Sequence, residues 1–125
     1  KVSGKTTQNP TYFAPYAQAF AYVGQSGAII GKKNFATITH PAVGIYCLEQ
    51  VNSPTLITEP IVTVEWGRSL GVALFAQYNY ANTSCPGATA RTIEVRTYKG
   101  DVGGVGSALQ TPVLSNSVAF IVLVP

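Results

Sequence analysis

Residues 90–98 read ARTIEVRTY, and this stretch decides the fold class. Side chains of two kinds alternate along it with a period of two, which places one set on each face of a β-strand. One set is Ile93, Val95 and Thr97, and the other is Glu94, Arg96 and Tyr98. Antiparallel strands with one face in the core and the other in water carry this pattern. The stretch therefore predicts a half-buried strand.

The same period recurs on both sides of that strand, and no window carries the pattern of a long amphipathic helix. PIVTVEW at 60–66 puts Val62, Val64 and Trp66 on one face, and VALFAQYNY at 72–80 follows after a GRSLG turn. Along the whole chain, about eight short strands alternate with turns of Gly, Pro, Asn and Ser. This spacing is typical of an all-β fold, and we expect a single antiparallel β-sandwich.

The strand pattern begins at residue 18 and sets the expected domain organisation. We expect the β-sandwich domain to cover residues 18–125 and residues 1–17 to form an N-terminal arm or linker. Residues 99–117 are rich in Gly and Ser, and we expect a long loop there. The last strand, SVAFIVLVP at 117–125, is apolar on both faces, which suits either a central strand or one covered by another subunit.

The composition favours an extracellular protein. The chain is 46% hydrophobic and only 10% charged, whereas about a quarter of the residues in a typical domain are charged. Of the basic residues only Lys32 and Lys33 are adjacent, so the basic stripe that nucleic-acid binding requires is missing. No segment reaches the ~20 apolar residues that span a bilayer. We expect a secreted or virion-surface protein with no nucleic-acid partner and no membrane span.

The two cysteines, Cys47 and Cys85, are 38 positions apart. Redox catalysis favours the close spacing C-x-x-C, so a separation of this length argues against a redox site. In a β domain with few charges, a disulfide is the more economical interpretation. We expect a Cys47–Cys85 disulfide that ties the strand IYCLE to the loop TSCPG.

The sequence offers little for catalysis or for metal binding. His40 is the only histidine, and Pro41 after it favours extended backbone at this position. No sequence feature places a nucleophile beside His40, although a hydrolase that uses it remains a third hypothesis. One histidine and two isolated cysteines do not make a structural zinc site. We therefore expect no enzymatic activity, no metal and no other cofactor.

A set of aromatic and amide side chains is the candidate ligand-binding site. Tyr78 and Tyr80 share one face of FAQYNYAN, interleaved with Gln77 and Asn79, and Trp66 lies on the strand before. Sugar sites often combine an aromatic ring, which covers the apolar face of the sugar, with amides that bind its hydroxyls. Ordinary half-buried aromatic residues of a sheet are the alternative interpretation.

Three stretches in this order, ITHPAVGIYCLE, TSCPGATARTIEVRTY and VAFIVLV, resemble small secreted actinobacterial domains of unassigned function. Those domains carry G-x-Y-C, then C-P-x-G-T, and close with an F-x-V strand; here the glycine of the second motif comes one place early. More loosely, GAIIGKKNFATITHPAVGIY is similar to β-sandwich modules of bacteriophage tail fibres. The resemblance covers about residues 20–125. It implies an extracellular, non-enzymatic module, which in fibre proteins is often trimeric and serves surface attachment.

Two functional hypotheses follow. The first is a structural or adhesive module of a fibre or surface assembly, which associates with itself as a homo-oligomer such as a trimer and binds through its exposed faces. The alternative is a carbohydrate-binding domain that contacts a cell-surface glycan through Trp66, Gln77, Tyr78, Asn79 and Tyr80.

Overall fold

The computed structural model describes residues 17–51, 60–100 and 112–125, and these residues form two antiparallel β-sheets. Their nine strands are β1 (Ala19–Val23), β2 (Ile29–Lys33), β3 (Phe35–Ala42), β4 (Ile45–Gln50), β5 (Ile61–Glu65), β6 (Leu74–Asn79), β7 (Thr92–Lys99), β8 (Val113–Leu114) and β9 (Ala119–Val124). The first sheet has the order β2-β1-β9-β5, and the second has the order β3-β4-β7-β6, with β8 also paired to β7. The predicted all-β sandwich is confirmed.

The core lies between the two sheets and consists of the inward faces of their central strands. Its largest buried side chains include Tyr46 and Leu48 from β4 and Phe120 from β9. The rings of Tyr46 and Phe120 lie 5.0 Å apart and are tilted by 59°. The first set of the ARTIEVRTY pattern faces this core as predicted: Ile93, Val95 and Thr97 are all buried.

Strand β9 is central in the first sheet, because β1 pairs with one of its edges and β5 with the other. This position resolves the two alternatives that the sequence left open, since no edge of β9 remains to pair with another subunit. Ile121 and Leu123, on its outer face, are half-buried.

Strands β3 and β2, each at one edge of its sheet, differ in regularity. The register of β3 against β4 shifts twice, between Phe35 and Thr37 and again between Thr39 and Ala42. Such irregularities bend a strand and leave some of its backbone groups unpaired. Strand β2, at the edge of the first sheet, is more regular and carries Lys32, whose ammonium group donates to the Phe35 carbonyl at 2.9 Å.

Two predictions about local structure were wrong. Strand β5 ends at Glu65, so Trp66 begins a single 3-10 turn (Trp66–Arg68) instead of completing the strand. Strand β8 lies inside the predicted loop 99–117, because Val113 and Leu114 pair with the last two residues of β7. The middle of that loop lies outside the described residues, as does the predicted arm 1–17 apart from Ala17.

One end of the sandwich is closed by hydrogen bonds between its connections. The Leu70 amide, in the β5–β6 connection, donates to the Ser117 carbonyl at 2.9 Å. The Gly44 amide, in the β3–β4 turn, donates to Asn116 Oδ1 at 2.8 Å. These bonds bring three connections to the same end, from which β6 starts and at which β7 finishes.

Candidate functional site

Exposed apolar side chains gather at this end of the sandwich. Among the described residues, ten large apolar side chains are exposed, and all but Ile61 and Tyr80 lie here. We call the eight the apolar end; they are Ile29, Val43, Trp66, Leu70, Val72, Phe75, Val113 and Leu114. The eight side chains share this end of the sandwich, and large exposed apolar surfaces on soluble domains often mark sites of interaction.

Five separate segments contribute to the apolar end. Ile29 begins β2, and Val43 lies in the turn between β3 and β4. Trp66, Leu70 and Val72 come from the β5–β6 connection. Phe75 comes from the start of β6, and Val113 and Leu114 form β8. Strands β6 and β8 pair with opposite edges of β7 near its end. No single segment of sequence therefore contains this surface.

The turn that presents Trp66 is fixed by the side chain before it. The Glu65 carboxylate accepts hydrogen bonds from the Tyr22 hydroxyl at 2.7 Å and from the amides of Gly67 at 2.8 Å and Arg68 at 3.0 Å. The Tyr22 hydroxyl first, and then the two amides, lower the pKa of Glu65 below its ordinary value. The carboxylate is therefore ionised at neutral pH, and it acts as the cap of the turn.

Ser69 ties the same turn to the first sheet. Its hydroxyl donates to the Glu65 carbonyl at 2.7 Å and accepts from the Ala119 amide at 2.8 Å. The backbone is thus held at both ends of the turn, yet the side chains stay outside: Trp66 is 62% exposed and Leu70 is 64% exposed. The fold fixes the position of these two side chains without burying them.

The structure divides the predicted aromatic platform. Strand β6 runs from Leu74, at the apolar end, to Asn79, roughly 17 Å away at about 3.3 Å per residue. Tyr80 follows Asn79 and therefore lies towards the opposite end from Trp66. Tyr80 is 82% exposed, and its ring meets that of Tyr78 edge-on with 6.5 Å between the centroids.

The other members of the platform lie apart from this tyrosine pair. Tyr78 packs partly against the core, whereas Gln77 and Asn79 project from the other face of β6. The Asn79 amide donates to Glu94 Oε2 at 2.6 Å, so it is engaged within the protein. The structure brings Tyr78 and Tyr80 together and separates both from Trp66, Gln77 and Asn79.

His40 is held by structural contacts. Its ring stacks on that of the buried Tyr46, with 4.3 Å between the centroids and 7° between the planes. Its Nδ1 lies 2.9 Å from the Ile45 carbonyl oxygen. Within residues 17–51, 60–100 and 112–125, no three His, Cys, Asp or Glu side chains are grouped as metal ligands would be.

The predicted disulfide between Cys47 and Cys85 is confirmed. It joins β4 to the connection 80–91, with 5.7 Å between the two Cα atoms. Both cysteines are buried and form a small apolar cluster with Ile45 on the outer side of the second sheet. The connection 80–91 is therefore fastened over this outer face.

A carboxylate beneath that connection, Glu94, was not recognised from the sequence as buried. Its side chain is fully buried and accepts hydrogen bonds from Asn79, from the Ser84 amide at 2.9 Å and from Arg96. Its ion-pair partner, Arg96, lies two positions further along the same strand. Burial alone would raise the pKa of Glu94, yet the hydrogen bonds from Asn79, Arg96 and Ser84 outweigh burial and lower that pKa.

We expect Glu94→Gln to destabilise the fold by about 2–3 kcal/mol near neutral pH, because the amide nitrogen of glutamine would face either the Ser84 amide or the donors of Asn79 and Arg96, and the charge opposite Arg96 would be lost. Because the pKa of Glu94 is lower in the folded chain, its ionised carboxylate stabilises the fold at any pH above the ordinary pKa of a carboxyl group. This stabilisation is lost as the pH falls through the pKa that Glu94 has in the folded chain. The difference in unfolding free energy between the two proteins should therefore shrink as the pH falls from neutral through the ordinary pKa of a carboxyl group and then through the lower folded-state pKa of Glu94. Urea unfolding across this range measures it.

Glu49→Gln is the matched control, since Glu49 is exposed on the neighbouring strand β4. This variant should differ from the native chain by no more than about 0.5 kcal/mol. A constant difference between Glu94→Gln and the native chain at every pH would contradict the role assigned to the Glu94 carboxylate.

The fold defines the chain as a two-sheet antiparallel β-sandwich with one disulfide, and its most distinctive surface is the apolar end. The chain matches no protein-family model, no curated protein and no solved structure. Among the described residues, no helix has the length and apolar character needed to cross a membrane.

Proposed function

We propose that this chain is a non-enzymatic adhesive module that binds a surface through its apolar end. The observation that carries the proposal is the fixed turn at residues 65–69, which holds Trp66 and Leu70 outside the core. Burial of such a side chain would stabilise the fold by about 1.5–3 kcal/mol, and the chain does without this stabilisation at both positions. Rigid, exposed tryptophans are frequent anchors of binding interfaces, since little entropy is lost when they are covered.

An extracellular location is part of this proposal. The Cys47–Cys85 disulfide supports it, because such bonds persist in oxidising compartments and are rare in the cytosol. The resemblance to secreted domains and to tail-fibre modules points in the same direction. The contacts of His40, which are all with core or backbone groups, support a role without catalysis.

Self-association is the second part of the proposal, and the outer face of the first sheet supports it. On this face Leu123 lies beside Ile61, and Ile121 lies in the next row; both strand β9 side chains are half-buried, whereas Phe20, on the other side of Leu123, is already buried within the chain. Ile61 is 55% exposed. Copies that associate side by side through this face, as subunits of a fibre do, would leave the apolar end free. A solution molar mass above the 13.2 kDa of one chain supports this part, and a mass of one chain removes it.

The adhesive role is tested with beads that carry the chain on cultured bacterial and mammalian cells. We expect the native chain to retain beads and the double variant Trp66→Ser, Leu70→Ser to retain at least about tenfold fewer, since both apolar anchors are gone. The variant should unfold at nearly the native urea concentration, because neither side chain is buried.

Tyr80→Ser is the control for this experiment, since Tyr80 is even more exposed than Trp66 and Leu70 but lies away from the apolar end. It should retain beads as the native chain does. Equal retention of the native chain and of the Trp66, Leu70 double variant would refute the proposed role.

A carbohydrate-binding domain is the second candidate, and the edge-on pair of Tyr78 and Tyr80 favours it. The exposed ring of Tyr80 could cover one face of a sugar. Binding on a glycan array that is lost in Tyr80→Ala and kept in Trp66→Ser would favour this candidate over adhesion through the apolar end.

A further inference from the structure

We infer that the surface bound by the apolar end is an anionic lipid bilayer, which the apolar side chains enter at the level of the headgroups. This inference rests on the adhesive role proposed for the apolar end and names its partner. The apolar end has three properties that suit such a surface: its composition, its charges and the rigidity of the turn at residues 65–69.

The apolar end is mainly aliphatic. Six of its eight side chains are Ile, Val or Leu, which have no donor or acceptor for a hydrogen bond with a sugar hydroxyl. The hydrocarbon boundary of a bilayer does accept such side chains, and the strength of binding grows with the apolar area buried there. Trp66 adds an indole ring, whose apolar body and single N–H donor suit the interface between lipid and water.

Two exposed cations lie beside these side chains in the part of the chain that the structure describes. Arg68 and Lys99 are exposed at this end, one in the Trp66 turn and the other at the end of β7. Glu65 is the acidic residue nearest to Trp66 among the described residues, and its carboxylate faces Tyr22 and the amides of its own turn. Exposed Arg and Lys near an anionic membrane contribute about 1 kcal/mol each. The two exposed cations are therefore complementary to anionic headgroups.

The same charges argue against a second copy as the occupant. Two apolar ends facing each other would bring Arg68 and Lys99 of one copy near the same cations of the other. Like charges placed together across an interface disfavour it. The proposed self-association therefore uses the outer face of the first sheet, and the apolar end stays available for lipid.

The turn at residues 65–69 can enter the headgroup region of a bilayer without a change in its backbone. Its backbone is tied by Glu65 and Ser69, and Leu70 is joined through its amide to Ser117. Because Trp66 and Leu70 already project from a fixed backbone, their insertion costs mainly side-chain rotamer freedom. The guanidinium carbon of Arg68 lies 5.8 Å from the centre of the Tyr22 ring, which also holds this cation close to the turn.

The test uses vesicles of phosphatidylcholine alone and vesicles with about a third phosphatidylglycerol. The chain has a single tryptophan, so its fluorescence reports on Trp66 directly. With anionic vesicles we expect the emission to shift to shorter wavelength, quenching by acrylamide to decrease, and the protein to sediment with the lipid. We expect binding to neutral vesicles to be at least about tenfold weaker, because the cations lose their partners.

Two double variants separate the apolar contribution from the electrostatic one. Leu70→Ser with Val72→Ser should lower sedimentation with anionic vesicles at least about tenfold, since both side chains leave the hydrocarbon. Arg68→Gln with Lys99→Gln should reduce binding to the level seen with neutral vesicles. Tyr80→Ser should bind as the native chain does, and circular dichroism checks that each variant is folded.

Three results would overturn the inference. They are no sedimentation with anionic vesicles, binding without a change in Trp66 emission, and binding that the Leu70, Val72 variant retains. If vesicles fail while bead adhesion still depends on Trp66, the adhesive role stands and its partner is a protein or another surface. If both experiments fail, the apolar end has neither role.

Discussion

The double variant Cys47→Ala, Cys85→Ala is expected to unfold with about 4 kcal/mol less free energy than the native chain. The disulfide closes a loop of 38 residues, and in the chain-entropy model a loop of this length accounts for a loss of that size. A typical domain of this size has a total stability of about 5–15 kcal/mol, so much of the stability depends on one bond. Urea unfolding monitored by circular dichroism measures the difference.

Chemical reduction of the native chain provides the comparison for this variant. The reduced chain should lose a similar amount of stability, because it also lacks the cross-link while keeping both side chains. If either form were within about 1 kcal/mol of the native chain, the connection 80–91 would be held mainly by Glu94 and its partners and not by the disulfide.

Gly44→Ala is expected to destabilise the fold by about 3 kcal/mol, which combines a backbone cost of about 1 kcal/mol with steric overlap of about 2 kcal/mol. Gly44 has a φ of +69°, in the region that L-residues rarely adopt. A Cβ atom there would lie 2.6 Å from the Thr97 carbonyl oxygen and 2.8 Å from the Ser115 amide nitrogen. Both atoms belong to the hydrogen-bonded backbone of the apolar end, so they cannot move away independently. The midpoint of urea unfolding measures the effect.

Gly87 offers a matched control because its φ of +67° is almost the same, yet a Cβ atom there would meet nothing within 4 Å. Gly87→Ala should cost only the backbone strain, about 1 kcal/mol. The difference between the two variants isolates the steric part. Equal losses would show that Gly44 is needed for its backbone conformation alone.

The strands could be predicted from the sequence because a period of two is a local property. In ARTIEVRTY the alternation placed Ile93, Val95 and Thr97 in the core. The disulfide followed from composition and cysteine count. The burial of Glu94 could not be predicted, because it depends on the connection 80–91 folding back over the second sheet.

The apolar end was missed for a related reason. Its side chains come from five segments that meet only when strand order is known. A local signal existed in GRSLG at residues 67–71, where Leu70 stands in a turn with no strand pattern to bury it. The end of β5 was also unpredictable, because the Glu65 cap involves the Tyr22 hydroxyl, 43 positions away in the sequence.

The irregular outer strand of the second sheet has a consequence for crowded copies of this protein. A regular, unprotected edge strand invites the same strand of a neighbour to pair with it, which leads to aggregation. Strand β3 contains Pro41, which lacks a backbone donor, and two register shifts that break the row of groups a neighbour would need. At the edge of the first sheet, β2 presents Lys32. Copies that meet along β2 and β3 on a crowded surface can therefore keep their sheets separate.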